Sequence, residues 1–127
     1  MPHVAYAGPR ITVIWGTDFR GREHAKEYFD ALPEQDQNYL RATMRLLGDA
    51  GWIRNETRCR DEGQGVYCLK TPRKRRIAAG YNGRHFVLTH GFDKGSDKMT
   101  QADRDKSGRL LAEHVERERK ARVKSRG

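Results

Sequence analysis

Cysteine is scarce in this chain. Its two examples, Cys59 and Cys68, have no CxxC spacing, which argues against a zinc knuckle or a redox pair and predicts two reduced thiols. The five histidines form neither HxxxH nor HExxH, so neither a metal nor another cofactor is expected. No apolar run approaches the ~20 residues that span a bilayer, and the opening MPHVAYAGPR lacks the charged and apolar blocks of an export signal. A cytoplasmic protein without membrane contact is therefore expected. Hydrophobic residues make up only 35% and aromatics 9%, which predicts a thin core under a heavily solvated surface.

Charge is what the sequence has in excess. Twenty-six Lys and Arg against seventeen Asp and Glu leave a net charge of +9, which favours polyanionic partners through long-range attraction and counterion release. RNA, DNA, a ribosome and an acidic protein all satisfy that balance. A length of 127 residues suits one domain over 1–127, with a core at about 10–120 and a basic tail at 117–127 expected to fray.

Periodicity predicts the elements. Ile11 to Trp15 is a β-branched and aromatic run that reads as a strand. Ala25, Tyr28, Phe29 and Leu32 fall on one helical face, Pro33 ends that helix, and Leu40, Met44 and Leu47 line a second one that closes near Gly48 to Gly51. Strands are then expected at Thr57 to Arg60, Val66 to Thr71, Arg75 to Tyr81 and Arg84 to His90. Asn82-Gly83 is expected to form a type I′ turn between the last two, because both residues tolerate positive φ. Helical character returns from Lys98 to Arg122, with Leu110, Leu111, His114 and Val115 on one stripe. The fold class is thus α+β: a small antiparallel β-sheet of about four to five strands, two N-terminal helices packed on one face, and a C-terminal helix.

Cations flank the hairpin: Lys70, Arg73, Lys74, Arg75 and Arg76 on one side, His90, Lys94 and Lys98 on the other. Antiparallel pairing brings the two stretches together. Alternation places Arg76 with Ala78 on one face and Arg75 with Ile77 and Ala79 on the other, while Phe86, Leu88 and His90 are expected to share a face. Such a patch suits cleavage of RNA by its own 2′-hydroxyl: lysine and arginine stabilise charge on the phosphorane, and a histidine or a lysine transfers protons. Solvated strand-edge charge is the plain alternative for Lys70 to Arg76, and ordinary surface charge for Lys94 and Lys98. His90 is open between a hydrogen-bonded structural residue, a proton-transfer group and a phosphate contact. Phe92 is open between core closure and base stacking, and Tyr67 and Tyr81 read as packing residues.

The segments AKEYFDALPEQDQNYLRATMRLLGDAG and YCLKTPRKRRIAAGYNGRHFVLTHGFDKGSDKMT resemble the paired helices and the strands of the RelE/HigB superfamily of type II toxins, in its phage-derived branch. The resemblance covers roughly residues 22–120. In that resemblance Lys70 and Arg76 stand at strand arginines, and His90, Phe92, Lys94 and Lys98 at their counterparts in the closing HGF motif. Lys70 replaces an arginine, Gly95 the second lysine of a pair, and Met99-Thr100 a Thr-Pro. The resemblance implies a metal-independent mRNA endonuclease, commonly acting on the ribosome and inhibited by a helix-turn-helix antitoxin. In this reading Lys70, Arg76, His90 and Lys94 carry the chemistry, while Arg73, Lys74, Arg75, Phe92 and Lys98 hold RNA. A ParE-like gyrase inhibitor and a non-catalytic RNA- or ribosome-binding module are the rival readings, since a shared fold does not fix function.

Overall fold

The computed structural model describes residues 2–95 and 98–126, with side chains as far as Lys124. Its elements run β1 (His3–Ala7), β2 (Thr12–Trp15), α1 (His24–Asp30), α2 (Glu34–Ala50), β3 (Cys59–Gly63), β4 (Val66–Lys70), β5 (Arg75–Asn82), β6 (His85–Asp93) and α3 (Gln101–Arg126). The strands form one six-stranded sheet in the order β1-β2-β6-β5-β4-β3. The expected antiparallel sheet of four to five strands is corrected by this mixed one. β2 runs parallel to β6, and β1, which lies in the Gly- and Pro-containing lead, adds an antiparallel edge strand to β2.

The two N-terminal helices do cover one face. Phe29 of α1 and Leu40, Met44 and Leu47 of α2 are buried with Val13, Trp15, Leu69, Ile77, Ala79, Phe86 and Leu88 of the sheet. Tyr67, Tyr81 and Phe86 add a cluster of edge-on rings on this side, so both tyrosines pack. α2 ends where Gly51 takes a left-handed φ of 90° and its N–H bonds to the Leu47 carbonyl at 2.7 Å. Helix α3 lies on the opposite face, beside Gly80 and Thr89, so the sheet is sandwiched between helical layers. It continues to Arg126 instead of fraying at the basic tail, supported by pairs such as Glu116 with Arg119.

The turn expected at Asn82-Gly83 differs from its expected type. In the β5–β6 hairpin Asn82 pairs with His85, which leaves Gly83-Arg84 as the loop, and only Gly83 has positive φ, at 60°. Those signs belong to a type II′ turn. The type I′ pattern sits in the β3–β4 hairpin, where Gln64 and Gly65 have φ of 57° and 78° between the paired Gly63 and Val66.

The feature that positions the site is a β-bulge. From the turn, β5 and β6 pair regularly as far as Ala79 with Leu88, but the next pair is Ala78 with His90. Thr89 is the extra residue. The slip corrects the expectation that Leu88 and His90 share a face: Leu88 packs under α1 and α2, while His90 bonds to Asp103 of α3. Thr89 is held on the α3 face too, its hydroxyl 3.0 Å from the Ala78 carbonyl and 2.7 Å from Ser107 Oγ. Beyond the bulge Gly91 faces α1, where a Cβ would stand 2.0 Å from the Tyr28 ring.

Two substitutions test this packing. Gly91→Ala drives a methyl into Tyr28 and is expected to lower unfolding free energy by about 1–3 kcal/mol in urea titrations. Gly108→Ala, on an open helix surface with nothing within 4 Å, is expected to raise it by about 0.5–1 kcal/mol.

Candidate functional site

A cavity of about 190 Å³ opens on the α3 face, lined by Lys70, Arg76, Phe92, Lys94, Lys98 and the carboxylates Glu62, Asp93 and Asp103, among others. Strand register explains the gathering. Lys70 pairs with Arg76 across β4 and β5, and Arg76 with Phe92 across β5 and β6, so the three side chains form one row over three strands. Without the extra residue at Thr89, Arg76 would stand opposite Gly91 and Phe92 would turn to the other face. Lys94 follows directly after β6, its N–H bonded to the Lys74 carbonyl at 2.6 Å, and Lys98 precedes α3.

Arg76 is 8% exposed, and its Nη1 donates to the carbonyls of Thr71, Arg73 and Arg75 at 3.2, 3.0 and 2.9 Å. The guanidinium therefore pins the β4–β5 turn while lining the cavity. The other arginines of the run point elsewhere. Arg73 donates to Gln35 of α2, and Arg75 binds Asp93 at 2.9 Å and approaches Asp36 at 3.5 Å. Lys74 is exposed on the turn. Of the nine residues expected at the site, Lys70, Arg76, Phe92, Lys94 and Lys98 line the cavity and Arg73, Lys74, Arg75 and His90 do not.

His90 lies just beneath. It is 2% exposed, its ring is 5.5 Å from that of Phe92, and its Nε2 is 3.2 Å from Asp103 Oδ1. Burial pushes its pKa below the ordinary histidine value, and the bond to Asp103 opposes that shift. Asp103 is in turn tied to Thr100 at the helix start: its N–H donates to Thr100 Oγ1 at 3.1 Å, as in an N-cap, and the Thr100 hydroxyl donates to Asp103 Oδ2 at 3.1 Å. The pair locks the start of α3, one wall of the cavity, onto β6. A second buried imidazole, His114, accepts the Thr17 N–H at 3.1 Å, and burial lowers its pKa as well.

Sequence reading missed Glu62, Asp103 and Cys68. Cys68 has the signal of period-2 alternation, which places it two residues from Lys70 on the same face. Its thiol is free of any disulfide and buried, and burial pushes its pKa up to about 12, so it is an inert wall. Glu62 reaches the cavity from the end of β3, beyond the strand expected to stop at Arg60, and Asp103 from a helix start, and charge patterning announces neither. Among the described residues no group of three or more His, Cys, Asp or Glu side chains is arranged to hold a metal ion, and no helix is long and apolar enough to cross a membrane.

The two buried imidazoles make acid sensitivity a test of this packing. The folded state binds fewer protons than the unfolded one at these groups, so their contribution to stability is lost as pH falls through the unfolded value of 6.5. The urea midpoint should drop between about pH 7 and about pH 5, and His114→Asn, which keeps an acceptor for Thr17, should flatten the drop. A midpoint that rises on acidification contradicts the burial described.

A family model described as phage derived protein Gp49-like (DUF891) matches residues 27–112, from within α1 into α3 and across the whole cation row. No curated protein matches the chain. With most of its helix pair, its central strands and its cavity inside the matched span, the chain belongs to the phage-derived Gp49-like family.

Proposed function

We propose that this protein is the toxin of a type II toxin–antitoxin pair and works as a metal-independent mRNA endonuclease of RelE/HigB type. Its natural setting in this reading is the cytoplasm, on ribosome-bound message, under the control of a helix-turn-helix antitoxin. The observation that carries the reading is the single cavity lined by Lys70, Arg76, Lys94 and Lys98. Four cations converging on one cavity suit a phosphodiester whose charge grows in the transition state, and preorganised charge of that kind is usually the largest catalytic term. The family and the net charge of +9 support it from outside the cavity.

Lys94 and Lys98 steer and hold the phosphate oxygens, and Arg76, fixed by the turn carbonyls, presents charge without reorganising. Lys70 donates the proton that the leaving 5′-oxygen needs. Phe92, on the same face, offers a ring to a neighbouring base. His90 acts at one remove, by fixing Asp103 and the start of α3, and Lys74 adds attraction from the rim. The nucleophile is the RNA's own 2′-hydroxyl, so the products are a 2′,3′-cyclic phosphate and a 5′-hydroxyl.

The test is cleavage of a reporter mRNA by the purified protein in a translating extract, with fragment ends identified. Lys94→Ala and Lys70→Ala are each expected to slow cleavage by ~10²–10³-fold while the variants remain folded. Intact message in the presence of folded protein contradicts the endonuclease reading. Inhibition of gyrase supercoiling in its place would favour the ParE-like alternative.

A further inference from the structure

The cations of the cavity leave one chemical task unassigned. An ammonium or guanidinium has no lone pair to accept the proton of an attacking hydroxyl. His90 has its Nε2 turned to Asp103 and its Nδ1 buried without a partner, away from the cavity lining. Among the described lining residues the carboxylates are the groups that are ready acceptors in their ordinary charge state.

Three described carboxylates line the cavity, and two are committed. Asp93 accepts from the Tyr28 hydroxyl at 2.6 Å and from Arg75 at 3.0 and 2.9 Å, and these donors hold its pKa below the usual carboxylate value. Asp103 accepts from His90 and Thr100. Glu62 is different: its side chain is 6% exposed, Oε2 accepts one backbone N–H, that of Met99 at 3.3 Å, and Oε1 stands 3.8 Å from Arg60 Nε, beyond hydrogen-bonding distance.

The backbone also singles out Glu62. β3 and β4 pair as Asp61 with Tyr67 and then Gly63 with Val66, so Glu62 is the extra residue of a second bulge. Asp61 borders the groove beside Tyr67, Tyr81 and Trp52 on the other face, and alternation along β3 turns its neighbour Glu62 to the cavity with Cys68 and Lys70, where the bulge leaves it without a partner across the ladder. Bulges are common beside active sites, and here an edge strand carries one at the one described carboxylate of the lining that accepts no hydrogen bond from a cation or hydroxyl, its pairing with Arg60 being a looser one at 3.8 Å.

We propose that Glu62 is the general base of the RNA cleavage proposed above, an inference that rests on that reading. The Glu62 carboxylate takes the proton of the 2′-hydroxyl as the 2′-oxygen lone pair forms the new bond to phosphorus. The bond from phosphorus to the 5′-oxygen breaks, its electron pair stays on that oxygen, and the Lys70 ammonium supplies the proton. Glu62 then returns its proton to solvent and Lys70 regains one, so the cycle closes with no cofactor and no net oxidation.

The deciding variant is Glu62→Gln, which keeps an oxygen for the Met99 N–H and removes only the proton acceptor. With reporter mRNA on ribosomes, single-turnover cleavage should fall by ~10²–10⁴-fold, and the acid limb of the rate–pH profile should disappear. Binding of the fully 2′-O-methylated message, which lacks the nucleophile, should change by less than about threefold, and Glu62→Asp should restore part of the rate. The proposal is overturned if folded Glu62→Gln cleaves within threefold of the parent protein, or if binding falls as far as cleavage does. Should Glu62→Gln fail to fold, Glu62→Asp decides: a parent-like acid limb with a reduced rate supports the assignment, and an unchanged rate refutes it. A parent protein that cuts no message overturns the endonuclease reading itself, which is a separate outcome.

Discussion

One extra residue in β6 decides how this molecule is put together. Thr89 occupies a bulge, and from there to the end of the strand every side chain exchanges faces relative to the run that begins at the hairpin turn. The exchange lets Thr89 and His90 both reach α3, where they meet Ser107 and Asp103. It also lets Phe92 stand in line with Arg76 and Lys70, and puts Gly91, the residue with no side chain, where the Tyr28 ring needs the space.

The polar docking of α3 follows from its composition. Its buried positions are Ser107, Leu110 and His114, with Asp103 half-buried one turn earlier, so a single large apolar residue is flanked by hydrogen-bonding groups. A helix held this way gains less from area burial than α2 does with Leu40, Met44 and Leu47, and more from fixed direction. Direction is what the cavity requires, because the start of α3 forms one wall and the row on the sheet forms the floor. Arg76 serves the same end from the other side, holding the Thr71 to Arg75 turn by its carbonyls.

Much of the architecture is legible in the residues themselves. Helical spacing marks α1 and α2, Pro33 separates them, and alternation separates Arg76 and Ala78 from Arg75, Ile77 and Ala79. What escapes is whatever tertiary contact decides. The edge strand β1 is half exposed and exists because β2 offers it a ladder, and the parallel pairing of β2 with β6 is a long-range choice without local signature. The bulges at Thr89 and Glu62 escape for the same reason: nothing in Leu88-Thr89-His90 or Asp61-Glu62-Gly63 distinguishes a slip from regular alternation until α3 and the loop before it supply partners. The basic run was visible as charge, but which cations converge was not, since Arg73 and Arg75 are taken by Gln35, Asp36 and Asp93 from elements far away in sequence.

The most direct measurement of this account is the cross-strand nuclear Overhauser pattern of β5 and β6 in solution. The account requires contacts between Ala79 and Leu88, between Ala78 and His90, and between Arg76 and Phe92, with Thr89 lacking a partner across the ladder. Contacts of Ala78 with Thr89 and of Arg76 with Gly91 would mean an unbroken ladder, with Phe92 on the far face and no shared row for the cavity to form on.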